Sequence, residues 1–291
     1  MLPKEIIRKI RRIEITTSRL VTDILSGQYE SVFKGRGIEF DEVREYQPGD
    51  EIRSIDWNVT ARMGHPYIKK YVEERQLTVM ILLDASGSSY FGTTRRLKNE
   101  LAAEVSSILA FAAVQNNDRV GLIVFTDRVE KYIPPRKGLQ HVLRVVREAI
   151  YFKPKGKGTD IAGALEFLDG VITRRAVVFV ISDFFAKDFK KPLSIANKKH
   201  DVVAVTITDP RETELPKAGL VEVADAEKGS FFLIDTANAR QREAYAAKSR
   251  RMIEERSRLF GSISVDHIDI RTDKPYIEEF IKFFRMRKRR I

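Results

Sequence analysis

Leu77-Thr78-Val79-Met80-Ile81-Leu82-Leu83-Asp84-Ala85-Ser86-Gly87-Ser88 is the stretch that decides the fold. Leu77 to Leu83 is a continuous apolar run of strand length, which suits a strand buried on both faces of a parallel sheet. At its carboxyl end it gives way to Asp84, Ser86 and Ser88, three short oxygen-bearing side chains at alternate positions. Open α/β sheets bind their ligands beyond the carboxyl ends of the strands, so the run predicts both a fold class and a place for a site.

Downstream, short β-rich runs alternate with helical spacing, the pattern of a parallel sheet covered by helices. Leu97, Leu101, Val105, Ile108 and Ala112 mark a helix, and Arg119 to Phe125 and Val129 to Ile133 mark two strands joined at Thr126 and Asp127. Leu139, Val142, Leu143, Val146 and Ile150 mark the next helix. The basic, glycine-rich loop Lys153 to Gly158 then leads to Thr159 and Asp160, which cap a helix carrying Ile161, Leu165, Leu168 and Ile172 on one face. Ala176 to Ile181 and Val202 to Ile207 are further buried strands, separated by a helix over Asp188 to Asn197 that is expected to break near Pro192. Leu220 to Val223 and Ser230 to Ile234 predict a hairpin around Lys228 and Gly229 that continues the core sheet.

This divides the chain into residues 1–75, a basic helix followed by an extended, turn-rich segment, and residues 76–291. The second part is a doubly wound, mostly parallel α/β domain extended by a hairpin (220–234) and helices at 237–259 and 275–287. No apolar run approaches the roughly 20 residues of a membrane span. Met1 to Ile13 mixes basic residues with isolated isoleucines and does not read as a signal peptide, so a cytoplasmic location is expected. With no cysteine in 291 residues, thiolate metal sites and cysteine nucleophiles are excluded. The formal charge of +11 raises nucleic acid as a partner, but the basic residues are interleaved with acidic ones, and the one dense cluster, Lys282 to Arg290, reads as a solvated chain end. His65, His141, His200 and His267 show no ligand spacing and read as surface or boundary residues.

Asp183 directly follows the strand Ala176 to Ile181, and Thr159 directly precedes a helix, so both are placed to join Asp84, Ser86 and Ser88 at one sheet edge. Taken singly, each also reads as a turn or a helix cap. Taken together, carboxylate and hydroxyl oxygens from three loops suit a hard cation, and Mg²⁺ best, with Mn²⁺ or Ca²⁺ as substitutes. Neutral hydroxyls around such an ion leave it electrophilic toward an Asp or Glu from a protein partner.

These residues resemble the metal-ion-dependent adhesion site of von Willebrand factor type A domains, with Asp84, Ser86 and Ser88 in its first loop, Thr159 in its second and Asp183 in its third. Gly37-Ile38-Glu39-Phe40, Arg44 to Asp50, Arg53, Ile55-Asp56-Trp57 and Ala61-Arg62 are similar to the signature of the bacterial and archaeal family called domain of unknown function 58. The residue after the last serine, commonly methionine in such domains, is Ser89 here. The resemblance implies that Ser86, Ser88 and Thr159 bind the ion directly while Asp84 and Asp183 act through waters. It also implies work beside a MoxR-type AAA+ ATPase as adaptor or substrate. In the signature segment, Pro48-Gly49-Asp50 reads as a turn and Trp57 as a core residue. Arg44, Asp50, Arg53, Asp56 and Arg62 are expected to tie the two parts together through salt bridges.

No catalytic residue is expected. The alternatives are a nucleic-acid binder using the basic tail and the Lys153 to Lys157 loop, and a metal-dependent hydrolase. The hydrolase lacks parts: there is no phosphate loop of the Gly-x-x-x-x-Gly-Lys-Ser/Thr type, no Gly-x-Ser-x-Gly and no His-Glu-x-x-His.

Overall fold

A computed structural model describes Phe33 and residues 43–50, 52, 55, 57–69, 76–94, 96–224 and 230–290. The expected amino-terminal helix, Gly37 to Phe40, Arg53, Asp56 and the hairpin turn at Lys228 and Gly229 lie outside the described residues. The chain forms two compact units, residues 34–76 and a larger unit that contains Phe33 and everything from Leu77 on.

In the smaller unit, β1 (Val43–Glu45) pairs antiparallel with β2 (Tyr67–Lys69), with α1 (Trp57–Met63) between them in sequence. The expected turn forms: Gly49 has φ of 112°, Asp50 N–H donates to the Gln47 carbonyl at 3.0 Å, and Gln47 N–H donates to the Asp50 carboxylate at 2.9 Å. Trp57, expected in a core, is 67% exposed. Ile68 is the one buried apolar side chain among the described residues of this unit, and they leave the indole in contact with solvent.

The larger unit runs β3 (Thr78–Asp84), α2 (Lys98–Gln115), β4 (Arg119–Phe125), β5 (Val129–Arg136), α3 (Leu139–Tyr151), α4 (Ile161–Val171), β6 (Val177–Ser182), α5 (Lys190–Lys199) and β7 (Asp201–Thr208). It continues with α6 (Pro210–Thr213), β8 (Leu220–Ala224), β9 (Phe231–Asp235), α7 (Ala239–Ser262), β10 (Asp266–Arg271) and α8 (Tyr276–Lys288). Six strands form one sheet in the order β10-β7-β6-β3-β4-β5, parallel except for the edge pair β4/β5. This is the doubly wound, mostly parallel sheet that the sequence predicts.

The apolar run of β3 serves both faces. Val79, Ile81 and Leu83 point into a core shared with α2, α3 and α8, and Met80 and Leu82 into one shared with α4, α5 and Phe260 of α7. Helix α2 is buried on nearly every side from Leu101 to Ala113, and its alanines and serines let it lie close against the sheet. Ser106 and Ser107 turn their hydroxyls back onto the Ala102 and Ala103 carbonyls at 2.7 and 2.6 Å, so neither is left unpaired in the core.

Four expectations are corrected. Helix α5 is not broken at Pro192, because the proline is its third residue, where the missing N–H has no intrahelical partner to lose. The hairpin β8/β9 does not continue the core sheet but stands as a separate two-stranded sheet, with Leu220, Phe231, Phe232 and Leu233 each 58–69% exposed. His200 is buried at the end of α5: its Nδ1 accepts the Ala176 N–H at 3.2 Å, and burial lowers its pKa. In the basic tail, Arg287 is held by an ion pair to Asp201 and lies over the Phe33 ring, and Arg290 pairs with Asp266 at 3.0 Å. Of the tail's cations only Arg287 is drawn into the fold, while Lys282, Arg285, Lys288, Arg289 and Arg290 stay exposed. Among the described residues no helix is long and apolar enough to cross a membrane.

Candidate functional site

The chain leaves β3 toward β4 on one side and places β6 on the other, so the crevice between the carboxyl ends of β3 and β6 is the topological switch point of the sheet. Asp84 ends β3, and Asp183 follows β6 directly. Both are buried, at 4% and 6% exposure.

The first loop is held by its own side chains. Asp84 Oδ1 accepts the Ser86 N–H at 2.9 Å, and the Ser86 and Ser88 hydroxyl oxygens lie 3.1 Å apart. Ser89 donates to the Ser86 carbonyl at 2.7 Å and closes the short 3₁₀ turn Gly87–Tyr90. The third loop joins it through a residue that sequence reasoning missed: Ser182 donates to Asp84 Oδ2 at 2.6 Å while accepting the Phe184 N–H at 3.0 Å. Phe184 has φ of 57°, an uncommon conformation for a bulky residue. It sends its own ring into the core against Phe189 and Phe260 and leaves the next ring, Phe185, 46% exposed.

Thr159 comes to the site through backbone. The Lys157 carbonyl accepts the Gly87 N–H at 2.8 Å, which fastens the second loop to the first, and the Asp160 N–H donates to the Thr126 carbonyl at 2.7 Å. Asp160 caps α4 through Gly163 N–H, so the helix-cap reading belongs to Asp160 and not to Thr159. Glu130 pins the same loop, accepting from Gly156 N–H at 2.7 Å, Lys155 N–H at 3.1 Å and the Thr126 hydroxyl at 3.1 Å. These donors, the Gly156 N–H first, hold the Glu130 carboxyl below the usual carboxylate range. Glu130→Ala should therefore free the loop, at a cost of about 2 kcal/mol for hydrogen bonds to a charged acceptor. The check is trypsin cleavage after Lys153, Lys155 or Lys157 under native conditions, faster than in the parent chain.

The largest departure from the sequence reading is Lys98, the first residue of α2. Its ammonium pairs with Asp183 Oδ2 at 2.8 Å and Glu212 Oε1 at 2.6 Å, with only 3% of the side chain exposed. Glu212 sits in α6, where it also accepts the Asp209 N–H at 2.8 Å. Burial works against the Lys98 charge, but the two carboxylates more than offset it and raise its pKa. Arg256 of α7 donates to the Asp183 carbonyl at 2.9 Å and stands 3.5 Å from Asp269. One signal in the sequence pointed to Lys98: it falls in register with Leu101, Ala102 and Val105, on the buried face of its helix.

Burial first, and the neighbouring Asp183 charge second, push the Asp84 carboxyl up to about 6, against the hydrogen bonds from Ser182 and Ser86 that lower it. The fold thus gathers Asp84, Ser86, Ser88 and Asp183 into one crevice and brings the Thr159 loop to its rim. Among the described residues no three His, Cys, Asp or Glu side chains converge in a way that could hold a metal ion, so any cation here would depend on hydroxyls as well. The donors suit a hard divalent ion. All are oxygens, and the Ser86 to Ser88 separation is close to the roughly 2.9 Å between neighbouring ligands of an octahedron with bonds of about 2.0–2.1 Å. Asp84, Asp183 and Glu212 against Lys98 leave two negative charges, with Arg256 matched by Asp269.

A family described as "Protein of unknown function DUF58" matches residues 42–255. An uncharacterized protein of Mycobacterium tuberculosis is 31% identical over 285 residues, covering 96% of this chain and 89% of that protein. Among solved structures, the conserved hypothetical protein BatB from Bacteroides thetaiotaomicron is similar at 17% identity and a TM-score of 0.48, covering 73% of this chain and 99% of that one. The SpRpn10 VWA domain is similar at 11% identity and a TM-score of 0.40, covering 71% and 94%.

Proposed function

The chain belongs to the DUF58 family, and from that premise we propose that it is a protein-interaction module that grips a partner carboxylate through Mg²⁺ held at the switch point of its sheet. The observation that carries this reading is the pairing of Asp84 and Asp183, two buried carboxylates beside two touching serine hydroxyls, with a residual charge of two. Asp84, Ser86, Ser88, Thr159 and Asp183 are the residues that would hold the ion, and when bound it supplies a Lewis acid for an outside carboxylate. The chain's own part is positioning. Ser182 and the Ser86 N–H orient Asp84, the Phe185 N–H donates to Asp183 Oδ1 at 3.1 Å, and Lys98 fixes the other oxygen of Asp183.

The partner that the family resemblance implies is a MoxR-type AAA+ ATPase, for which this chain would act as adaptor or substrate. Calorimetric titration with Mg²⁺ or Mn²⁺ in the presence of an acidic peptide, and pull-downs with and without EDTA, test the site. Binding should vanish in EDTA and fall at least tenfold in Ser86→Ala and Asp183→Asn. Binding that ignores all three changes would remove the metal from the reading. Steady Mg²⁺-dependent turnover of a phosphate or carboxylic ester, abolished by Ser86→Ala in a folded chain, would replace the reading with an enzyme.

A further inference from the structure

Beside the crevice, a cavity of about 320 Å³ opens between α7, α6 and the loop after β6. Its apolar walls are Phe185, Met252 and Ile253; Glu212 forms the wall toward the site, and Lys248 and Arg256 are its cations. Two of these residues belong to both places. Glu212 shares Lys98 with Asp183, and Phe185 lies two positions beyond Asp183 with its ring centre 5.9 Å from the Lys98 ammonium. Phe185 is half-exposed and lines the cavity, so a segment that presents a carboxylate at the crevice can extend across its ring into the cavity.

The geometry points to a specificity pocket: the cavity receives a bulky apolar side chain of an acidic partner segment, one within a few residues of the carboxylate bound at the crevice. This rests on the proposed metal-dependent reading and names the partner's chemistry. The volume suits one large side chain, and Phe185 and Met252, 46% and 39% exposed, are the apolar surfaces such a side chain would cover. Charge decides the rest of the segment. Helix α7 carries seven basic residues against three acidic ones, and Lys248 makes no ion pair among the described residues, so acidic flanking residues are attracted and basic ones repelled.

The test is a peptide-display library with one fixed Asp between randomised positions, selected on the full chain in Mg²⁺. Selected peptides should carry Phe, Leu, Ile, Met or Trp near the fixed Asp and excess acidic residues elsewhere. Ser249→Phe, which puts a ring into the cavity, should weaken the best peptide about tenfold or more, the value of burying one large apolar side chain, while the thermal midpoint reports that the fold is intact. Lys248→Glu should weaken acidic peptides more than peptides of the same apolar content with neutral flanks. Peptides with no apolar preference, peptides held equally by Ser249→Phe, or no enrichment at all would overturn the pocket. If apolar peptides are selected equally in EDTA and by Ser86→Ala, the pocket stands and the metal reading falls.

Discussion

Lys98→Met should cost the fold about 3–5 kcal/mol, the usual consequence of removing one partner from a buried ion pair. The ammonium is the shared counter-charge of Asp183 and Glu212, and it is the only cation paired with either carboxylate among the described residues. Arg256 reaches the Asp183 carbonyl but is drawn to Asp269, so it offsets only part of the loss. Methionine fills the same volume, which confines the effect to charge. The measurement is urea unfolding at neutral pH. Adding Glu212→Gln to Lys98→Met should recover a substantial part of the loss by removing one of the two stranded charges. A loss under about 1 kcal/mol would mean that water reaches the trio freely, in the manner of a surface pair.

Asp84→Asn should act in the opposite direction when no metal is present. The buried Asp84 carboxyl titrates at about 6 against an ordinary value of 3.8. Between those two pH values the folded chain keeps a proton that the unfolded chain has released. Asp84 is therefore least costly to the fold below about pH 4, and its burden grows as the pH rises through 6. Above that it approaches about 3 kcal/mol, at 1.36 kcal/mol per pKa unit. In EDTA at pH 7.5 Asp84→Asn should melt above the parent chain, and at pH 5 the two should draw together. Glu212, raised chiefly by burial, shifts stability in the same direction, and His200, lowered by burial, in the other. Both are common to the two chains and cancel in the difference. Millimolar Mg²⁺ should then reverse the order, because only the parent chain gains by mass action from an ion bound to its folded state. A difference that stays flat from pH 5 to 7.5 would show that Asp84 is not strained by its burial.

The sheet is legible because its strands are buried on both faces. Leu77 to Leu83 and Ala176 to Ile181 have no polar face, and few other structures consume such runs. Asp84, Ser86, Ser88 and Asp183 are legible for a related reason, since short oxygen-bearing residues end two of those strands. The residues that complete the crevice are not legible in the same way. Lys98 meets Asp183 across 85 positions and Glu212 across 114, and nothing local distinguishes a buried lysine from the 51 other basic side chains except its register on α2. Ser182 reads as the last residue of a strand until the fold sets it against Asp84. Pro192, Trp57 and His200 were misjudged by type: a proline in a first turn breaks nothing, an indole needs a volume to enclose it, and a histidine at a helix end can close a core.

Helix α2 lies beneath nearly the whole sheet, with its middle turns shut off from water. It has no independent way to fray, since those turns are packed into one core with the face of the sheet and the helices α3 and α8, which would have to part first. The ammonium that steadies Asp183 is mounted on the first residue of this element. The electrostatic setting of the crevice and the integrity of the domain should therefore be lost in one event, leaving no intermediate in which the domain persists with its binding edge dissolved.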